Sequence, residues 1–313
     1  MLPAAITTLF VVLLVAARPA DASYRVGVSE QSHEMFDSPA WQDLRLKRVR
    51  YLVPWDWALT GQHGEVEAFM SAARAHDQDV LVTFTAHRGC FDEGRYSRAD
   101  ACRAPSASAY RAAVRTFDDR YPWVRTYSAW NEVNHISQPT FTRPRLAVRY
   151  YRILRSERGN RGFRVMAADV LDTANMHRYL RLFRRRAPGR PRLWGLHNYK
   201  DVNNHTSADT RRMLETVPGE VWLTETNGIV KFGASPQFDY SESRAARGTR
   251  WMFRLAERFR VRRRGLRSKI TRLFAYQWFG APLGARFDAG LVDLDGTPRP
   301  AYFVLQRRLD LHR

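Results

Sequence analysis

The chain has 313 residues, 44% of them hydrophobic and 26% charged, with 18 Gly and 15 Pro. That composition excludes a disordered, collagen-like or low-complexity chain, and only two cysteines exclude a disulfide scaffold and a four-cysteine zinc site. The formal net charge of +20 rests on arginine, since only four of the 51 basic residues are lysine; such a balance favours anionic partners and says nothing about fold.

Residues 9–17 (LFVVLLVAA) form an apolar run that ends near the small-x-small pattern Ala20-Asp21-Ala22. The run is too short to span a bilayer as a helix. We read residues 1–22 as a cleaved secretory signal peptide, which makes the mature chain, 23–313, a secreted protein. An uncleaved N-terminal anchor is the alternative. No later run approaches the roughly 18 apolar residues of a membrane span, so no membrane contact is expected after cleavage.

From there, short apolar runs alternate with helical patterns. The first strand is predicted over 24–29, followed by a short connection over 36–46. The second strand, 48–54, carries Arg50 and leads into Pro54-Trp55-Asp56-Trp57; a helix follows over 64–76. The third strand, 79–85, runs into His87 and a polar loop holding Cys90 and Cys102. In an oxidising compartment these two are expected to form a disulfide, which would stabilise the loop by about 3 kcal/mol. A helix over 107–119 precedes the fourth strand, 124–130, which ends in Asn131-Glu132. A helix over 142–157, a strand over 163–169 and a helix over 173–186 come next. The sixth strand, 192–198, carries His197 and leads to Tyr199. A helix over 207–216 precedes the seventh strand, 220–226, with Glu225 near its end. A helix over 241–260, a strand over 271–278 ending in Trp278, and a helix over 300–309 close the chain.

Continuous apolar strands alternating with helices indicate a parallel sheet covered on both faces. Eight such units fit a single-domain (β/α)8 TIM barrel. A doubly wound sheet is the runner-up, weakened because no Gly-rich phosphate loop follows the first strand.

Barrel active sites lie at the C-terminal ends of the strands, and here those ends carry polar and aromatic groups. Glutamates ending strands four and seven face each other across a barrel of this size. A retaining glycosidase needs two carboxyl groups about 5–5.5 Å apart, one to attack the anomeric carbon and one to serve as acid and then base. Arg50 is placed to keep the nucleophile ionised by pairing with it. Asn131 is a candidate for the sugar 2-hydroxyl. His197, Tyr199, Trp55 and His87 are further substrate-binding candidates, and Trp278 is expected to form an apolar floor under a sugar ring.

The Asn-Glu ending strand four, the Glu ending strand seven, the His-x-Tyr of strand six and the Trp of strand eight resemble the clan of retaining (β/α)8 glycoside hydrolases, which contains cellulases, mannanases, xylanases and β-glucosidases. The segment Val49-Arg50-Tyr51-Leu52-Val53-Pro54-Trp55 is similar to the second-strand motif of its cellulase-like members. The resemblance implies Glu132 as acid/base, Glu225 as nucleophile and Arg50 beside it. The sequence departs from the pattern at Val133, where familiar members often carry Pro.

The expected activity is therefore hydrolysis of a β-linked polysaccharide or oligosaccharide, with no metal and no cofactor, because two carboxyl groups suffice. Two alternatives stand beside it: a non-catalytic barrel that binds glycan or an anionic cell-wall polymer, and a metal-dependent hydrolase using Asp56, His87 or His197. The basic runs 181–192 and 258–267 fall in connections at the N-terminal face, opposite the catalytic loops. They suit an anionic wall polymer, while their lack of interleaved aromatics argues against nucleic acid. Asp288, Asp293 and Asp295 lack the spacing of a calcium loop.

Overall fold

The computed structural model describes residues 24–92, 94–159, 162–233 and 236–310. The proposed signal peptide lies outside them.

The described chain is a (β/α)8 barrel. Its strands are β1 (Arg25–Ser29), β2 (Arg48–Pro54), β3 (Asp79–Thr85), β4 (Thr126–Ser128), β5 in two pieces (Arg164–Met166 and Asp169–Leu171), β6 (Leu193–His197), β7 (Gly219–Thr226) and β8 (Ser268–Tyr276). All neighbouring strands pair in parallel, in chain order, and β8 pairs back with β1. The first half of β5 pairs with β4 and the second with β6, so the circle closes through one broken strand. Sequential order with ends that meet rules out the doubly wound alternative. The sequence predicted β5 as one unbroken strand. The break falls at Ala167-Ala168, where the backbone turns so that Ala167 N–H donates to Leu193 O and Ala168 O accepts from Gly195 N–H.

The outer layer is α1 (Pro39–Leu44), α2 (His63–Ala75), α3 (Ala107–Arg120), α4 (Pro144–Arg158), α5 (Met176–Arg184), α6 (Ala208–Thr216), α7 (Glu242–Phe259) and α8 (Pro300–Asp310). Helix α2 shows why these segments pack as they do. Its Val66, Phe69, Met70 and Ala73 recur at helical spacing and are fully buried. Phe69 stacks on Tyr51 of β2, with centroids 4.0 Å apart. Tyr51 thus points outward to the helices, and by strand alternation its neighbour Arg50 points into the barrel.

The barrel interior is layered. At the N-terminal mouth Arg272 pairs with Asp79 at 2.9 Å and Arg164 with Glu220 at 2.9 Å. Above them Leu81, Met166, Leu193, Trp222 and Phe274 form a separate apolar plug. Above the plug the interior is polar, with Ser29, Arg50, Thr83, Asp169, His197 and Thr224 all fully buried. A dry plug under a polar layer leaves that layer open only toward the C-terminal mouth, where barrel active sites lie.

Candidate active site

Arg50 is the centre of the polar layer. With no solvent exposure, it donates to Glu225 Oε1 at 2.6 Å, Asn131 Oδ1 at 2.8 Å, Asp169 Oδ2 at 3.0 Å, and the hydroxyls of Ser29 and Thr83 at 3.2 Å. Two carboxylates around one guanidinium keep it charged: burial disfavours the cation, but Glu225 and Asp169 hold its pKa above the usual arginine value. Asn131 is thereby committed to Arg50 through its carbonyl oxygen.

Glu225 reaches this position through an irregularity in β7. Pairing with both neighbours slips after Leu223. A bulge of this kind re-aims side chains beside active sites, and here Thr224 and Glu225 both reach the polar layer: the Thr224 hydroxyl donates to Asp169, and Glu225 meets Arg50. Glu132, just past β4, has a left-handed backbone at φ 39°. That conformation costs a non-glycine residue on the order of 1 kcal/mol. It aims the carboxylate at the same mouth.

His197 lies between the two glutamates. Its Nδ1 is 3.1 Å from Glu132 Oε1 and 3.5 Å from Glu225 Oε2, and its Nε2 is 3.3 Å from Asp169 Oδ1. Burial works against the imidazolium, but Glu225 and Asp169 outweigh it and raise the pKa to about 10. Burial likewise favours a neutral Glu132, yet hydrogen bonds with His135 and His197 outweigh it, and its carboxyl lies well below the usual carboxylate range. Both shifts favour the charged pair, an imidazolium on His197 hydrogen-bonded to an anionic Glu132. Selected oxygens of Glu132 and Glu225 and a ring nitrogen of His197 all lie within 4.8 Å of one another. That trio has the spacing of a metal site, but Arg50 and the imidazolium already supply positive charge to it. A divalent ion there would have to displace a proton from His197 and sit against the guanidinium.

Tyr199 follows β6 on a short helix, Tyr199–Asn203, and its hydroxyl is 3.5 Å from Glu225 Oε2. Asp172, at the end of β5, steadies that helix by accepting from Lys200 N–H at 2.8 Å and Asp201 N–H at 3.2 Å; burial pushes its carboxyl up to about 7. Tyr199 packs edge-on against Phe287 at 5.5 Å, and Phe287 lies 6.0 Å from Tyr276, the last residue of β8. All three are partly exposed, so this aromatic group, and not Trp278, offers surface to a ligand.

Trp278 corrects the sequence reading. Its ring has no exposure and packs between Trp41 at 5.5 Å and Tyr302 at 6.0 Å, in the layer between barrel and helices. The strand ends at Tyr276, two residues short of the predicted end, so alternation no longer governs where residue 278 points. Trp55 is half-buried against the main core, and His87 Nδ1 lies 2.8 Å from Asp56 Oδ2. Among the described residues no hydrogen bond joins Trp55 or His87 to the two glutamates. Cys90 and Cys102 are disulfide-bonded, fastening the loop that follows β3. Asp288 and Asp293 both bind Arg299, and Asp295 accepts from Thr297 N–H, which accounts for the acidic C-terminal loop.

Among the buried carboxylates that the sequence reading did not single out, Asp169 and Glu30 organise the barrel end. Asp169 is the shared partner of Arg50, His197 and Thr224. Its sign was an acid inside the apolar run VMAADVL, together with Gly195, where a Cβ would come within 2.1 Å of Asp169 Oδ1. Glu30, after β1, accepts four backbone N–H groups, from Gln31, Ser32, Trp278 and Phe279, and so ties β1 to the end of β8.

No family profile matches the chain, and no curated protein is similar to it. Solved structures are. The chain is similar to a family 39 glycoside hydrolase from Bacteroides cellulosilyticus WH2 at TM-score 0.58 and 14% identity, over 93% of this chain and 65% of that one. It is similar to a GH10 endoxylanase retrieved from a sugarcane soil metagenome at TM-score 0.59 and 13% identity, over 94% and 98%. A GH113 β-1,4-mannanase superposes at TM-score 0.56 and 11% identity, over 92% and 99%. At these identities the likeness shows the shared (β/α)8 fold.

Proposed function

We propose that this protein hydrolyses the O-glycosidic bonds of a β-linked glycan with retention of configuration, Glu225 acting as nucleophile and Glu132 as acid/base. One observation carries the reading: oxygens of these two carboxylates approach within 4.8 Å of each other at the barrel mouth. Retaining glycosidases hold their carboxyl groups about 5–5.5 Å apart, whereas inverting ones leave about 6.5–9.5 Å for a water.

The chemistry follows from the charges. Glu225 attacks the anomeric carbon while the glycosidic oxygen takes a proton from Glu132, so an ester forms and an alcohol departs. Glu132, now anionic, removes a proton from water, the water oxygen displaces Glu225, and the proton on Glu132 returns to His197 as the Glu225 charge is restored. His197 links the two events. Its imidazolium is supported chiefly by the Glu225 charge, against the pull of burial. Attack by Glu225 consumes that charge, so the proton along the 3.1 Å His197–Glu132 contact passes more readily to Glu132 at the moment an acid is needed. Arg50 and the Tyr199 hydroxyl fix the attacking carboxylate, and Tyr199, Tyr276 and Phe287 supply apolar surface for sugar rings.

The endoxylanase and β-1,4-mannanase among the structural neighbours put xylan and mannan first in a substrate panel. The test is release of reducing ends from xylan, mannan and β-glucans by the wild type and by Glu225→Gln in parallel, with NMR of the first-formed anomer. Turnover by wild type alone, with a β-configured first product, is expected. Turnover that survives in both Glu225→Gln and Glu132→Gln would sink the assignment, and glycan binding without turnover would replace it with a binding barrel. We also propose an extracellular site of action, supported by the leader-like run and the Cys90–Cys102 bridge. N-terminal sequencing of exported protein, expected to begin at Ser23, tests it; retention of Met1 would refute cleavage.

A further inference from the structure

Helix α7 carries Arg247, Arg250, Arg254 and Arg258, all exposed. At about 100° per residue they fall within an arc of about 80°, and from first to last the stripe runs about 17 Å. The stripe continues beyond the helix. A depression of about 280 Å³ is lined by Arg247, Arg250, Trp251, Arg254 and His205. Arg254 also lines the next, of about 390 Å³, with Arg258, Arg260, Arg263 and Arg308. Arg263 in turn lines a third, of about 540 Å³, with Arg192, Arg262, Arg264 and Arg267. Among the described residues Glu257 is the one carboxylate lining the three. Sharing Arg254 and Arg263, they form one track that runs along α7 from the connection between β6 and α6, where His205 lies, to the connection between α7 and β8 at the N-terminal face.

We propose that this track binds a linear anionic polysaccharide bearing a carboxylate on each sugar, independently of the catalytic site. Along α7 its charges stand about one helical turn apart, on the scale of one sugar residue, before the track widens into the cluster around Arg262, Arg263 and Arg264, and guanidinium groups bind carboxylates in paired hydrogen bonds. Duplex DNA presents two rows of closely spaced phosphates, a different charge array. Single-stranded nucleic acid takes successive stacking platforms. Here there is one partly exposed indole, Trp251, held by its Nε1 donation to Thr206 O at 2.7 Å and flanked by His205 at 5.7 Å. One aromatic face at the head of the track suits the apolar face of a sugar ring.

The test uses the full chain on immobilised polygalacturonate. Binding should weaken steeply with salt, and Arg247→Gln, Arg250→Gln, Arg254→Gln and Arg258→Gln together should weaken it about tenfold or more at low ionic strength. A second variant, Arg262→Gln with Arg263→Gln and Arg264→Gln, should weaken it in the same direction. A control removes equal charge from scattered exposed sites, Arg74, Arg98, Arg145 and Arg178, and should change binding less than about twofold. All variants should keep the wild-type melting temperature within a few degrees and wild-type turnover of a neutral glycan. Equal weakening by the control would reduce the effect to net charge and overturn the proposal. So would absence of binding at low salt, or tighter binding of duplex DNA at matched charge concentration.

Discussion

Replacing Arg50 by Met tests whether the polar layer is organised around its buried cation. The guanidinium has no solvent exposure and lies 2.6 Å from Glu225 and 3.0 Å from Asp169. Met fills much of the volume but leaves two buried carboxylates with one counter-charge fewer. Removing one partner of a buried ion pair costs about 3–5 kcal/mol. At about 2–4 °C per kcal/mol for a chain of this size, the melting temperature should fall by on the order of 10 °C near neutral pH. The loss should also depend on pH. In the wild type, burial pushes the Asp169 carboxyl up, but His197 and Arg50 together hold it below its usual value. A depressed carboxylate stabilises above its unfolded pKa of about 3.9, and that contribution disappears as pH falls through the folded value. Without Arg50 the burial effect gains, Asp169 takes up a proton more readily, and the gap between variant and wild type should narrow from about pH 7 to about pH 4.5. Near-UV circular dichroism melts at the two pH values measure both quantities. A drop below about 3 °C at neutral pH, or a gap that widens on acidification, would refute the argument.

His197→Asn should change the alkaline behaviour. The imidazolium is raised to about 10, so its stabilisation is complete below the unfolded pKa of about 6.5 and is lost as pH rises through about 10. Wild-type stability should therefore decline across that window, and the variant's melting temperature should decline less. Opening the Cys90–Cys102 bridge with paired Ser substitutions should lower stability by about 3 kcal/mol in urea titrations, given its sequence separation of 12; an unchanged midpoint would mean the loop is held by other contacts. Trp278→Leu should cost roughly 2–4 kcal/mol of stability with little change in KM, while Tyr276→Leu should raise KM with a smaller stability loss. The reverse pattern would restore Trp278 as the sugar platform.

The barrel was legible because its strands are written as apolar runs, and a run cannot sit elsewhere than between two covered faces. β2 and β3 begin and end where the sequence placed them. The divided β5 was not legible, since Ala167 and Ala168 carry no turn signal and the break is imposed by pairing with β6. The two glutamates stood out as polar groups at strand ends, and Arg50 as a charge carried within the second strand. Asp169 did not, because its meaning depends on Gly195, a glycine on another strand that leaves room for its carboxylate. Trp278 misled because its place at the predicted end of β8 suggests a sugar platform, whereas the strand ends at Tyr276 and the indole packs between barrel and helices.

Arg50 also limits how the molecule can be divided. Its partners and near neighbour lie on or just after β1, β3, β4, β5, β6 and β7: Ser29, Thr83, Asn131, Asp169, His197 and Glu225. Cutting the barrel into a first half through α4 and a second from β5 onward would strand the cation in one fragment and both carboxylates that neutralise it in the other. Each half would then bury charge without compensation. A symmetrical architecture that invites splitting, duplication or recombination of halves is made indivisible by a single side chain, and the finished ring is the smallest unit in which that side chain is satisfied.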